Sequence, residues 1–321
     1  MRTCILPGAF LLFIASSCSK SFNPLENSSE QTKDIIVSAP QLLIPNGKHP
    51  RWSPDDQWIA YALYSGSSSD IYIASRDGGG ARQITTDDGN DEYPFWAPDG
   101  NTIGFSSDRR ENQNYNIFTV SLDGTEITQA TPDSIGVQAG DWSPNGESIV
   151  FDGINETLTL SANSILVITP ANKQIAFLTT NLAYAGRPKF SPDGKKIVFE
   201  ALEHNSPLYN IWTINADGTA LKKITTAGGE YPCWSPDGAW IAYSNMTTDN
   251  YDLYIIGSDG GQPIQVTHST DANEVRASWS SNDNFIIYDT MMGTKKVSPN
   301  NAGIYLIQIE FLDHISKQQV Q

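Results

Sequence analysis

Six points in this sequence set polar or aromatic side chains immediately ahead of an apolar run: His49, Glu92 with Tyr93, Gln138, Arg187, Glu230 with Tyr231, and Glu274 with Arg276. Carboxylates, guanidinium groups and phenol rings delivered at near-equal intervals suit recognition of a peptide or another polar ligand, since each supplies directional bonds and the rings supply contact area. Two other chemistries are open to the same residues. Glu92, Glu230 and Glu274 could converge on a hard cation such as calcium, or could be solvated or paired with Arg187 and Arg276. His49, His204 and His268, three of the four histidines, could meet over one point and hold a metal, although none has the local spacing of a metal motif. No Gly-x-Ser-x-Gly stretch occurs, so the chain lacks a serine-hydrolase elbow.

These residues are positioned by a repeat. Tyr231-Pro232-Cys233-Trp234-Ser235-Pro236-Asp237-Gly238-Ala239-Trp240-Ile241-Ala242-Tyr243 reads as strand, turn, strand. Proline presets φ for a type I turn, Asp237 tolerates the next position, and Gly238 takes the positive φ that closes the hairpin. Copies begin at Arg51, Phe95, Asp141 and Lys189, with a degraded sixth at Ser278. The anchors Trp52, Trp96, Trp142, Phe190, Trp234 and Trp279 are 44, 46, 48, 44 and 45 residues apart, the length of a four-stranded propeller blade. The expectation is an all-β, six-bladed propeller. A third strand recurs, as in Asp70-Ile71-Tyr72-Ile73, followed by an Asp-Gly turn into a fourth. In the third unit Asn172 replaces that turn, which leaves its outer hairpin the least regular. Gln41-Leu42-Leu43-Ile44 has the pattern of an outer strand with no blade of its own before it. The sixth unit lacks a fourth strand, so the N-terminal strand is expected to complete it and close the ring. The turns should collect on one face, where their aspartates serve the turns, and the longer loops on the other.

With 36 acidic against 20 basic residues the formal charge is −16, which argues against a nucleic-acid partner. Three cysteines are too few for a disulfide scaffold. Residues 1–17 have the plan of a signal peptide: Arg2, an apolar run from Ile5 to Ile14, then Ala15-Ser16-Ser17. Cys18 follows as in a bacterial lipobox, so lipid anchoring at Cys18 is expected, with cleavage and release of a soluble protein as the alternative. Residues 18–33 read as a flexible tether, 34–312 as the propeller and 313–321 as a tail.

Repeated Trp-Ser-Pro-Asp-Gly followed by Ile-Ala-Tyr or Ile-Val-Phe, then Asp-Ile-Tyr and Ile-Thr, resembles the WD-like (PD40) propeller repeat of the TolB family. Phe105-Ser106-Ser107-Asp108-Arg109 is similar to that family's second strand and its exit, which adds Arg109 to the candidate ligand-binding residues. The family is named for a periplasmic protein of the Tol–Pal system whose propeller binds partner proteins. The likeness covers about Asp34 to Glu310 and is to the propeller part alone, since the chain before Asp34 leaves no room for a separate α/β domain. It implies a non-catalytic scaffold in the bacterial periplasm that engages a protein or peptide, and the expectation is a monomer without a cofactor, held at the membrane through the lipid site at Cys18, in which the chain departs from the family. Some propellers of similar repeat are metal-dependent lyases of acidic sugars, so a cation-dependent carbohydrate-active enzyme with its site at the channel mouth is the alternative.

Overall fold

In Ser-Pro-Asp-Gly the side chains themselves close the turn. The Ser235 hydroxyl donates to Asp237 Oδ1 at 2.6 Å, the same oxygen accepts the Ala239 N–H at 2.9 Å, and Ser235 Oγ accepts the Trp240 N–H at 2.9 Å. The first, third and fourth copies repeat all three bonds, with Asn145 in place of aspartate in the third. Each turn therefore fixes an antiparallel pair locally, before any tertiary contact forms.

The computed structural model describes residues 34–87, 89–110, 114–155, 162–246, 250–270, 272–282, 284–291 and 302–312. The signal-peptide, tether and tail expectations, Cys18 included, lie outside the described residues. Residues Ile35–Leu312 pack as one unit. It is a six-bladed β-propeller of six antiparallel sheets, five with four strands. The innermost strands are Gly47–Trp52, Asp91–Trp96, Ile135–Trp142, Tyr184–Phe190, Glu230–Trp234 and Asn273–Trp279. Second and third strands lie progressively outward, and short fourth strands such as Arg82–Gln83 and Lys222–Lys223 form the rim.

The apolar core is six layers between blades. Between the first and second blades, Ala60, Ile71 and Ile84 pack against Trp96, Phe105 and Phe118; between the fourth and fifth, Val198 and Ile211 pack against Trp234 and Tyr243. Each sheet is covered on both faces, which is why its strands read as continuous apolar runs. Phe95 lies across from Gly104, where a Cβ would come within 2.3 Å of its ring, so the glycine makes room for the aromatic. The short rim strands, two to four residues long, are supplemented by threonine. Oγ1 of Thr85, Thr131, Thr179, Thr225 and Thr267 accepts a third-strand N–H at 2.9 Å in each of five blades. The irregular third unit does form its outer hairpin: Lys173 takes φ of +58° and Asn172 Oδ1 accepts the Gln174 N–H at 3.0 Å.

Closure follows the sequence expectation. Gln41–Pro45 pairs antiparallel with Gly303–Leu312, and Asp34–Val37 continues along the same strand after a break at Ser38, whose N–H bonds the Gln308 carbonyl at 2.9 Å. A second latch lies on the turn face. The first copy has Asp56 where the second to fifth have glycine, at φ +57° and 2% exposed, and its carboxylate accepts the Ser281 and Asn282 N–H groups of the sixth blade, both at 2.7 Å. Asp56→Gly relieves about 1 kcal/mol of backbone strain but removes two charge-assisted bonds of roughly 1.5–3 kcal/mol each. The expected result is a loss of about 2 kcal/mol in urea unfolding; an equal or higher midpoint would show that the latch does not hold.

Candidate functional site

The innermost strands are bent by the same defect in every blade. Their register with the second strand slips between residues 48 and 51, 92 and 95, 137 and 140, 186 and 189, 230 and 233, and 275 and 278. In five blades the bulged residue has positive φ: His49 (53°), Tyr93 (50°), Arg187 (54°), Tyr231 (54°) and Arg276 (55°). Four of them precede proline, which ordinarily steers its predecessor to extended backbone, and left-handed geometry costs an L-residue about 1–2 kcal/mol. Bonds from neighbouring blades hold the conformation. Glu200 Oε2 of the fourth blade accepts the Tyr231 N–H at 2.8 Å, Asp289 Oδ2 of the sixth accepts the His49 N–H at 3.3 Å, and His49 Nδ1 accepts the Tyr93 N–H at 3.4 Å. The bulge re-aims these five side chains, and all five line one narrow pocket on the propeller axis.

Within the pocket His49 and Tyr93 stack at 3.9 Å between ring centroids. The Tyr231 ring has two guanidinium neighbours, Arg187 at 4.4 Å and Arg276 at 5.5 Å from its centroid. Arg276 forks onto Asp289, with Nε at 3.0 Å and Nη2 at 2.8 Å from its oxygens, and Arg187 Nη1 bonds Glu200. Arg51 and Lys189 form the floor, and both also line a wider funnel on the turn side. Lys189 Nζ donates to the Gly140 carbonyl at 2.7 Å, and burial pushes its pKa down to about 8. The buried Cys233 thiol is pushed up to about 11 by desolvation, so it is an inert packing residue.

Burial, then Arg276, Lys48, Arg187 and Arg51, hold the His49 pKa well below the ordinary value. His49 stays neutral in the fold while the unfolded chain takes up a proton near pH 6.5, so stability falls as pH drops through that value toward the depressed pKa. Relative to His49→Gln, the wild type should lose about 1.4 kcal/mol per pH unit between about pH 6.5 and 5. Urea unfolding of both proteins across that range measures it, and parallel profiles would show that His49 protonates freely in the native state.

The structure gathers His49, Tyr93, Arg187, Tyr231 and Arg276 but not the other candidates. Glu92 bonds the Tyr64 hydroxyl, Glu230 accepts the Tyr251 hydroxyl at 2.5 Å, and Glu274 accepts the Tyr288 hydroxyl at 3.3 Å. Glu92 and Glu230 are adjacent in sequence to a bulge residue, and strand alternation turns them aside. The three glutamates do not converge, and the arginines take Glu200 and Asp289 as partners instead. Arg109 is committed within the second blade to Asp91 at 2.9 Å, Asp87 at 2.8 Å and the Phe105 and Phe118 rings, so it does not reach the mouth. His204 and His268 are exposed, whereas His49 is buried. Among the described residues no group of three or more His, Cys, Asp or Glu side chains is placed to hold a metal ion. Sequence reasoning missed Glu200 and Asp289, although a signal existed. Phe151-Asp152, Phe199-Glu200 and Tyr288-Asp289 stand where the other three blades have Tyr61-Ala62, Phe105-Ser106 and Tyr243-Ser244.

Fold and site together define a closed six-bladed propeller with a cationic, tyrosine-lined pocket at one mouth of its axis. The chain belongs to the TolB β-propeller family: the profile of the TolB beta propeller domain matches residues 31–181 and 161–303. The Tol-Pal system protein TolB of Francisella tularensis subsp. mediasiatica is 31% identical over 237 residues, covering 72% of this chain and 53% of that protein. The chain thus spans about half the length of the curated relatives it matches. Among solved structures, TolB from Acinetobacter baumannii superposes with a TM-score of 0.64 at 21% identity, covering 77% of this chain and 57% of the other. An oligogalacturonate lyase in complex with manganese gives 0.59 at 16% identity, over 86% and 81%. At these identities the two structures speak to the fold alone.

Proposed function

We propose that the chain is an exported bacterial envelope protein, lipid-anchored at Cys18 after removal of residues 1–17, whose propeller holds a protein or peptide partner at the channel mouth and catalyses no reaction. The observation that carries this reading is the mouth itself, where five strained bulges direct side chains into one pocket. Tyrosines surround it. Tyr64 is 48% exposed, and Tyr184 packs edge-on to Tyr209 at 5.4 Å while donating to Gln138 Oε1 at 3.2 Å. Rigid amphipathic rings around a polar centre are what protein interfaces select. Relatives named for the Tol-Pal system support an envelope role. The lyase alternative has less support, since His204 and His268 are exposed and, among the described residues, no group of metal-donor side chains gathers with His49.

A photo-crosslinking residue at Tyr209, on the mouth side, should capture one reproducible envelope protein in cells, whereas the same residue at Lys195, on the turn face, should not. Equal capture from both positions would sink the assignment to the mouth. For the anchor, Cys18→Ser should move the protein from the membrane pellet to the soluble fraction; a wild type already soluble and unlabelled by radioactive palmitate would favour cleavage and release.

A further inference from the structure

We propose that the mouth pocket is a carboxylate-binding site and that the partner is held there through a peptide carboxylate, either a chain end or an aspartate or glutamate side chain. This rests on the reading of the mouth as a binding site and names the chemistry it selects. The chain carries a formal charge of −16, yet the residues lining this pocket include four cations, Arg51, Arg187, Lys189 and Arg276, and, among the described residues, no carboxylate. The acids that balance the two mouth arginines, Glu200 and Asp289, stand behind them on second strands, where they also accept the bulge N–H groups of the next blade. Their arrangement holds the two guanidinium groups at the pocket wall without using all of their donors. Arg187 Nε is buried and has no hydrogen-bond partner among the described residues. Arg276 uses Nε and Nη2 on Asp289, which leaves Nη1 without a hydrogen bond among the described residues. Arg51 contributes a third guanidinium whose Nη1 reaches a backbone carbonyl, that of Ala277, at 3.3 Å. A planar carboxylate with two oxygens complements such forked donors, and an acidic protein with one cationic recess steers an anionic group to it.

The walls select a peptide over an acidic sugar. Pro50, Pro94 and Pro232, with Ala139 and Ala277, form a collar above the charged floor. Proline has no N–H, so the hydroxyl groups of a uronic acid would find few partners there, whereas an apolar residue next to a carboxylate would lie against the collar and the Tyr93 and Tyr231 rings.

The test is calorimetric titration of the purified full-length chain with four probes: the peptide Ala-Leu-Ala-Leu as free acid, the same peptide as C-terminal amide, acetyl-Ala-Glu-Leu-amide, and trigalacturonate. The expected result is binding of the free acid or of the glutamate peptide, with the carboxylate-free amide at least about tenfold weaker. Which of the two binds identifies the source as chain end or side chain. Arg51→Gln, which loses one long backbone bond, should weaken binding about tenfold at an unchanged melting temperature, and acetate should compete with the wild type whether or not that variant folds. Equal affinity for acid and amide, or no binding of any probe, overturns the proposal; binding of trigalacturonate alone overturns it in favour of an acidic sugar. Partner capture at Tyr209 that neither excess free-acid peptide nor Arg51→Gln diminishes would end this inference and leave the scaffold reading intact. A bound carboxylate peptide without any captured partner would do the reverse.

Discussion

Deletion of residues 35–44 lowers the melting temperature by on the order of 10 °C and broadens the transition. The segment supplies the outermost strand of the sixth blade, so its loss strips the ladder from Gly303–Leu312. It also removes Ile44, 6% exposed and packed with Trp52, Ile59 and Ile304 at the junction of the sixth and first blades, together with Ile35 and Val37, which pack against the junction of the fifth and sixth. A buried aliphatic side chain contributes about 1.5–3 kcal/mol. With several ladder bonds at about 1 kcal/mol each, the deletion costs roughly 5 kcal/mol or more. An exposed strand edge is in addition a template for association, so the deleted protein should also sediment as larger species. Calorimetric scans of the two proteins provide the measurement, and an unchanged melting curve would mean that the ring closes without this strand.

Asp289→Ala should cost about 3–5 kcal/mol, the penalty of stranding one member of a buried ion pair. Asp289 is fully buried and accepts three bonds from Arg276 and one from the His49 backbone. Its loss leaves a guanidinium in a low-polarity site and frees the first-blade bulge. Asp289→Asn keeps an acceptor for the His49 N–H and should cost less. The double variant Arg276→Met/Asp289→Leu should recover much of the stability, because removing both charges avoids the desolvation that either suffers alone. Urea unfolding of the singles and the double forms the cycle; additive losses would mean that the pair is not coupled.

The blades were legible in the sequence because their turns are self-contained. Ser235, Pro236, Asp237 and Gly238 need nothing from outside the hairpin, so the four residues announce it. Closure was legible for a similar reason: Gln41–Ile44 had an outer-strand pattern and no blade to belong to. The site was half legible. The positions before each first strand were recognisable, but which side chain faces the axis depends on the bulge. His-Pro, Tyr-Pro and Arg-Pro pairs predict extended backbone before proline, the opposite of what inter-blade bonds impose. Hence Glu92 and Tyr93 looked equivalent, although one leans to Tyr64 and the other enters the pocket. Glu200 and Asp289 were visible as acids at an apolar or small-residue position, yet their task is set by a neighbour some 30 residues ahead or, for Asp289, at the other end of the chain. The histidines failed as a set because loop reach, which decides whether His204 or His268 approaches the axis, leaves no periodic trace.

The ring's two chain ends share a side. First strands run from the mouth to the turn face, so Gly303–Leu312, the third strand of its blade, runs the same way, and the N-terminal strand runs back beside it. Ile35 and Leu312 therefore both stand at the Pro-Asp-Gly face, where Phe311 stacks on Trp240 at 5.1 Å. The propeller is polar in the mechanical sense: Ile35 and Leu312 stand on one side and the recess opens on the other. A pull applied at Ile35 or Leu312 therefore loads the turn face and leaves Arg276 on the unloaded side.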